Sequence, residues 1–192
     1  MSKSRSQLQD FLKQIDITGK TVLDVGAGSK EHWARNWTKG EPKEYKTADV
    51  VVDLETNYEI DLNDEGFKII DNPFGERSFD VVFCIETLEH VWNPWQAVNN
   101  LSLVCRGELY ISTPFLNPIH DSWDYLRYTD EWFEKVLPMV GFKKVNIQRR
   151  TTESPLLQEF YREEGMRMSK SRLKNGEGYK INDLGYFITA EK

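Results

Sequence analysis

The chain has 192 residues, 31 acidic against 25 basic for a formal net charge of −6, with 39% apolar residues, seven prolines and two cysteines. That length predicts one domain spanning residues 1–192, with one core and one site. The acidic balance argues against nucleic acid and anionic membranes as partners, since neutralising phosphates takes clustered Lys and Arg.

No run of about 18 apolar residues is present to span a bilayer, and the polar start Met1 to Gln9 lacks a signal-peptide core, which predicts a soluble, cytoplasmic protein. Leu8, Phe11, Leu12 and Ile15 recur at helical spacing and predict a short covering helix within residues 1–18, with Gly19 after it. Thr21 to Val25 is a β-branched run between Gly19 and Gly26 and predicts a strand; Trp33, Ala34 and Trp37 on one helical face predict a helix after the glycine turn. Glu44 to Asp49 predicts a second strand. Phe79 to Ile85 (FDVVFCI) and Glu108 to Thr113 (ELYIST) are near-continuous apolar runs, the pattern of parallel strands covered on both faces by helices. Asn93 and Pro94 fit an N-cap and first helical position, with Trp95, Val98, Leu101 and Cys105 on one face until Gly107. Cys84 and Cys105 lie inside apolar runs without Cys-x-x-Cys spacing, and both read as small buried hydrophobes.

Thr129, followed by Asp130 and Glu131, opens a further helix with the stripe Trp132, Phe133, Val136 and Val140, ending around Pro138 and Gly141. Lys143 to Arg149 alternates as a strand, and Gly185 to Ala190 predicts the last one. Residues 151–178 form an insertion before that strand: a helix over Ser154 to Met168, then Ser169 to Gly178, which has no apolar pattern beyond Leu173 and predicts a mobile loop. The basic run Arg162 to Lys174 reads as a solvated face or as a contact for an acidic partner.

The stretch Val22 to Lys30 (VLDVGAGSK) carries the most chemistry. Gly26 and Gly28 sit at the carboxyl end of the first strand, where open α/β sheets bind ligands and where glycine permits a tight turn and close backbone approach. A dinucleotide site would want a third glycine at position 31, but Glu31 stands there and repels phosphate; no Gly-Lys-Ser/Thr follows either. Asp49, about 20 residues on at the end of the second strand, can accept both hydroxyl protons of a ribose, and Asp53 in the segment DVVVD is an alternative. The site therefore wants a nucleoside without phosphates.

VLDVGAGSK, Asp49, IDL at Ile60 to Leu62, SFDVVFCIETLEHVWNP at Ser78 to Pro94 and STPFLNPIHDSWDYLRYT at Ser112 to Thr129 together resemble a class I S-adenosylmethionine-dependent methyltransferase. The likeness is to the small single-domain type with Leu-Glu-His and His...Asp-Tyr-x-Arg-Tyr signatures. The resemblance implies a Rossmann-like methyltransferase fold: an α/β, mostly parallel seven-stranded sheet with a final antiparallel strand near Tyr186 to Ala190 and helices on both faces. It implies S-adenosylmethionine as cofactor, with Gly26, Ala27 and Gly28 under its methionine part, Asp24 supporting the turn, and Asp49 on the ribose. Asp61 and Leu62 would flank the adenine, and Ile85 and Glu86 would lie beside the cofactor. Asp24, Asp49, Asp61, Glu86 and Glu89 all fall near strand ends, which suits a sulfonium cation and an ammonium group.

Methyl transfer is an in-line displacement at an activated carbon, so a base matters where the acceptor must lose a proton. His120, in the loop after the fifth strand, is the candidate base. Asp124 would orient it or bind substrate, with Arg127 and Tyr128 holding an anionic or sugar-like acceptor; alternatively these residues form a hydrogen-bond network that closes the loop. Glu89 and His90 line the pocket or cap the next helix, and a structural role suits His90. His90, His120, Asp121 and Asp124 are too scattered for a metal site. The six tryptophans mostly fall on helix stripes, and Trp123 is set apart by its place in the active-side loop. The expected activity is methyl transfer to oxygen or nitrogen of a small-molecule or glycan-type acceptor. The rival readings are a non-catalytic cofactor- or partner-binding subunit and, further off, a nicotinamide-linked oxidoreductase.

Overall fold

In a computed structural model that describes residues 3–51, 56–64, 76–119, 122–151 and 183–192, the β-branched run after Gly19 forms strand β1 (Thr21–Val25). It pairs in parallel with β2 (Glu44–Asp49) on one side and β4 (Phe79–Ile85) on the other; the two-residue β3 (Tyr58–Glu59) extends the sheet beyond β2. Beyond β4 lie β5 (Cys105–Pro114), parallel to it, then β7 (Asp183–Glu191), antiparallel to both β5 and β6 (Lys144–Thr151). The seven-stranded order is β3-β2-β1-β4-β5-β7-β6, a mostly parallel sheet closed by one antiparallel strand, as the resemblance implied.

Strand alternation sends side chains to two layers. Leu23, Val25, Val82, Cys84, Leu109 and Ile111 pack with α2 (Pro94–Val104) and α3 (Asp130–Met139). Val22, Val81, Phe83, Tyr110 and Phe187 pack with α1 (Lys3–Leu12), whose Phe11 stacks on Phe187 at 4.6 Å between centroids. Helices thus cover both faces. Cys84 and Cys105 are buried free thiols, both pushed up by desolvation. Among the described residues, no helix is long and apolar enough to cross a membrane.

Local chemistry sets the boundaries. Asn93 Oδ1 accepts from Gln96 N at 3.4 Å and Thr129 Oγ1 from Trp132 N at 3.4 Å, so both expected N-caps operate. The second helix ends sooner than its apolar spacing predicts. Cys105 already pairs with Phe79 in β5, Trp95 is 46% exposed, and the buried face is Ala97, Val98, Leu101 and Val104. Gly107 serves the strand instead: a Cβ there would meet the Asp80 carbonyl at 2.4 Å.

The helix expected over Trp33 to Trp37 is replaced by two 3-10 turns, Lys30–His32 and Ala34–Asn36. Side chains there capture groups that a helix would have used. Asp24 takes the Ala34 amide at 2.8 Å, Asn36 Nδ2 donates to Lys30 O at 2.8 Å, and Trp33 Nε1 donates to Gly28 O at 3.3 Å. The predicted helix over Ser154 to Met168, the loop to Gly178 and the basic run Arg162 to Lys174 lie outside the described residues.

Candidate active site

The carboxyl ends of β1, β2 and β4, with the segments that follow them, enclose a cavity of ≈ 590 Å³. Gly26, Asp49, Asp61 and Leu62 line it from the β1–β3 side, and Glu86, His90, Trp92, Trp123 and Tyr125 from the β4 side. Gly26 has φ +71° and lies so near Thr87 that a Cβ would meet its hydroxyl oxygen at 2.2 Å; Gly28 has φ +57°. Only glycine adopts such a turn without strain, and at Gly26 only glycine fits. Gly28 N donates to Asp49 Oδ2 at 2.9 Å and Val51 N to Asp49 Oδ1 at 3.1 Å. Each carboxylate oxygen keeps further accepting capacity, so Asp49 is a fixed acceptor pair at the glycine turn. Asp53, the alternative, lies outside the described residues.

Asp61 Oδ1 accepts from the Asn63 amide and side chain, both at 2.8 Å, and Asn63 Oδ1 accepts from Asn93 N at 2.9 Å, which ties this corner to the start of α2. Ala27 is buried and, like Gly28, supports the turn without lining the cavity. Asp24 is also behind it: its Oδ2 accepts from Ala34 N and from Tyr45 Oη at 2.5 Å. Ile85, expected beside the cofactor, packs in the opposite, α1-facing layer. An apolar strand buried on both sides gives no sign of which face each residue takes.

Glu86 ends β4 with φ +49°, an uncommon conformation for a non-glycine residue that tends to mark functional sites. Its Oε1 accepts from Ser112 Oγ and from Arg150 Nη1, both at 2.6 Å. Arg150 is only 2% exposed, with its guanidinium 5.0 Å from the Phe187 ring centroid. Sequence reasoning missed Arg150, because nothing in the run Arg149-Arg150 distinguishes a buried arginine from an exposed one. The five strand-end carboxylates consequently divide. Asp49, Asp61 and Glu86 line the cavity, Glu86 with a counter-charge, whereas Asp24 and Glu89 are buried behind it.

Burial pushes Asp24 up to about 6, against the hydrogen bonds from Tyr45 and Ala34; burial, with Glu86 adding to it, pushes Glu89 up to about 8. A carboxyl whose folded pKa is raised holds its proton in the native state while the unfolded chain has released it. Its stabilising contribution is therefore full below the ordinary carboxyl range and is lost as pH rises through about 6 for Asp24 and about 8 for Glu89. Urea denaturation across this window should show wild-type stability falling toward alkaline pH, and Glu89→Gln should flatten the upper part of that slope.

The 3-10 turn Leu88–His90 carries the Leu-Glu-His signature and pins the segment 123–128. Tyr128 Oη donates to Leu88 O at 2.8 Å, Tyr125 N to Glu89 O at 2.8 Å and Leu126 N to Glu89 O at 3.2 Å. His90 Nδ1 lies 3.2 Å from Trp123 O. A carbonyl only accepts, so this contact places the proton on Nδ1. His90 thus lines the cavity and also ties two segments, while Asn93 caps α2. Asp124, a catalytic candidate, is engaged by both guanidinium nitrogens of Arg127, with Nη2 to Oδ2 at 2.7 Å, and its side chain is fully enclosed. Tyr128 is buried. Neither Arg127 nor Tyr128 offers the anion grip expected from sequence; the pattern is the loop-closing network. His120 and Asp121 lie outside the described residues. Among the described residues no group of three or more His, Cys, Asp or Glu could hold a metal ion.

Residues 2–150 match the family described as a methyltransferase domain. Among curated proteins, the ubiquinone biosynthesis O-methyltransferase of Coxiella burnetii is 28% identical over 114 residues, 56% of this chain and 49% of the relative. The chain spans about half the length of the curated relatives it matches. Among solved structures, an Archaeoglobus fulgidus SAM-dependent methyltransferase superposes with a TM-score of 0.59 at 16% identity, covering 98% of this chain and 94% of the other. Phosphoethanolamine N-methyltransferase 2 of Haemonchus contortus, in complex with S-adenosyl-L-methionine, gives 0.60 at 17% identity over 97% and 52%. The [4+2]-cyclase SpnF gives 0.62 at 16% identity over 97% and 80%. At such identities these structures share the fold. The family match is wider in meaning: extending over well more than half of the residues, it makes this chain a member of the methyltransferase-domain family.

Proposed function

We propose that the chain transfers a methyl group from S-adenosylmethionine to an oxygen or nitrogen of a small-molecule or glycan-type acceptor. The observation that carries this reading is the Asp49 carboxylate held 2.9 Å from Gly28 N beside a two-glycine turn, in a cavity whose described lining contains no Lys or Arg. The residues fit a phosphate-free adenosine derivative. Asp49 accepts ribose hydroxyls, Asp61 and Leu62 flank the adenine, and Gly26 to Gly28 give the methionine part close access to the backbone. Glu86 faces the same space. When bound, the cofactor supplies an electrophilic methyl carbon on a sulfonium. A dinucleotide fits poorly, since no α-helix starts at the glycine turn to receive pyrophosphate and Glu31 occupies the 3-10 turn there.

Calorimetric titration with S-adenosylhomocysteine tests this reading. Wild-type protein should bind it and reject NADH, and Asp49→Ala should weaken binding about 10- to 100-fold, the loss of one or two charge-assisted hydrogen bonds at about 1.5–3 kcal/mol. Tighter binding of NADH, or unchanged affinity in the variant, would overturn it. Cofactor binding without turnover of any acceptor would favour the non-catalytic reading, since one fold hosts many functions.

A further inference from the structure

Nine large apolar side chains are exposed among the described residues, and five of them, Val50, Val51, Trp92, Trp123 and Tyr125, line this one cavity. Trp123 is 56% and Tyr125 50% exposed, while Asp124 between them is fully enclosed against Arg127. Alternation therefore turns both aromatic rings outward and the charged residue inward. Their backbone is held: Tyr125 N and Leu126 N donate to Glu89 O, and Trp123 O meets the His90 ring. Large aromatic surfaces displayed on a fixed frame at a cavity mouth are the usual means of gripping a ligand with little ordering cost.

Charge narrows the ligand. Asp49, Asp61 and Glu86 line the cavity, and among the described residues no Lys or Arg does; the guanidiniums of Arg127 and Arg150 are paired with Asp124 and Glu86. A carboxylated or phosphorylated acceptor would meet like charge with no cation among the described lining groups to offset it. A flat ring bearing only hydroxyl or amine substituents would lay its C–H or π face against the rings.

We propose that Trp123 and Tyr125 form the acceptor subsite and that it selects an uncharged acceptor with a flat ring face, aromatic or pyranose. This deepens the methyl-transfer reading and rests on it. Saturation-transfer NMR on the S-adenosylhomocysteine-loaded protein and radiolabelled methyl transfer from S-adenosylmethionine test it, with catechol against protocatechuate as the aromatic arm and methyl glucoside against glucuronate as the sugar arm. In one arm the uncharged ring should bind at least about tenfold tighter than its carboxylated partner. Trp123→Ala should weaken it about tenfold and Trp123→Phe should retain most of the affinity, the size expected for one aromatic stacking contact. Affinity for S-adenosylhomocysteine should stay within about twofold in both variants, which also reports folding; Tyr125→Ala repeats the test if Trp123→Ala fails that check. Failure of both uncharged rings to bind, preference for the carboxylated partner, or indifference to the aromatic substitutions would overturn the proposal. Failure of wild-type protein to bind S-adenosylhomocysteine would instead strike the methyl-transfer reading beneath it.

Discussion

Glu86→Ala should lower the free energy of unfolding by about 3–5 kcal/mol, seen as a shift of the urea midpoint at unchanged slope. The reason is the asymmetry of the pair. Arg150 is 2% exposed and cannot recover its hydration when the carboxylate 2.6 Å away is removed, whereas the Glu86 side chain is 32% exposed and can. Arg150→Met, approaching the same pair from the other side, should therefore cost less, about 1–3 kcal/mol. The double variant should cost less than the sum of the two, because the second substitution removes the penalty left by the first. Additive losses would mean that the two residues stabilise the fold separately. Glu86→Ala should also reduce cofactor affinity, as it strips a carboxylate from the cavity wall, while Arg150→Met should spare most of it.

The second large effect belongs to the proposed base. His120→Ala should lower kcat by about 10² to 10⁴, the usual contribution of a positioned proton acceptor, with affinity for S-adenosylhomocysteine nearly unchanged. The expectation applies to an acceptor that must lose a proton as it is methylated; alignment of the two reactants supplies the remainder of the acceleration. His120 lies six residues beyond Pro114, where β5 ends at the carboxyl edge of the sheet. An unchanged kcat would move the search to His90, whose ring lines the cavity between the Trp123 carbonyl and Glu89.

Elements whose identity is local were legible from the residues. Phe79–Ile85 and Glu44–Asp49 form strands with the bounds their apolar and β-branched runs suggest, and Thr129 and Asn93 cap helices because a short polar side chain before an apolar stripe satisfies orphan amides. What failed was non-local. The stretch after Gly28 has helical spacing, yet the buried Asp24 carboxylate claims its amide from the strand below, and two short turns result. Two-residue β3 has no periodicity to read; it is placed by Thr47 and Asn57 bonding across the chain at 2.9–3.3 Å.

At the site, the pairing of Asp49 with the glycine turn followed from spacing alone, because both belong to neighbouring strand ends. The segment 123–128 did not. Asp-Tyr-x-Arg-Tyr reads as a row of available polar groups, but the Asp124–Arg127 pair and the Tyr128 hydroxyl bond close inward, and the residues left facing the cavity are Trp123 and Tyr125. One turn of parity separates a structural residue from a ligand-facing one, and only the partner segment decides it. Ile85 and Glu86 differ in the same way, one step apart at the end of β4.

The last-synthesised strand of the sheet lies between β5 and β6, both made earlier. As the polypeptide leaves the ribosome, β6 emerges with no ladder partner in place, and residues 152–182 must follow before β7 can wedge into the gap. Closing such a distant register is slow relative to local helix formation. Until that moment β5 and β6 present two open edges, so the nascent chain passes through a window in which association with other copies competes with completion of its own sheet.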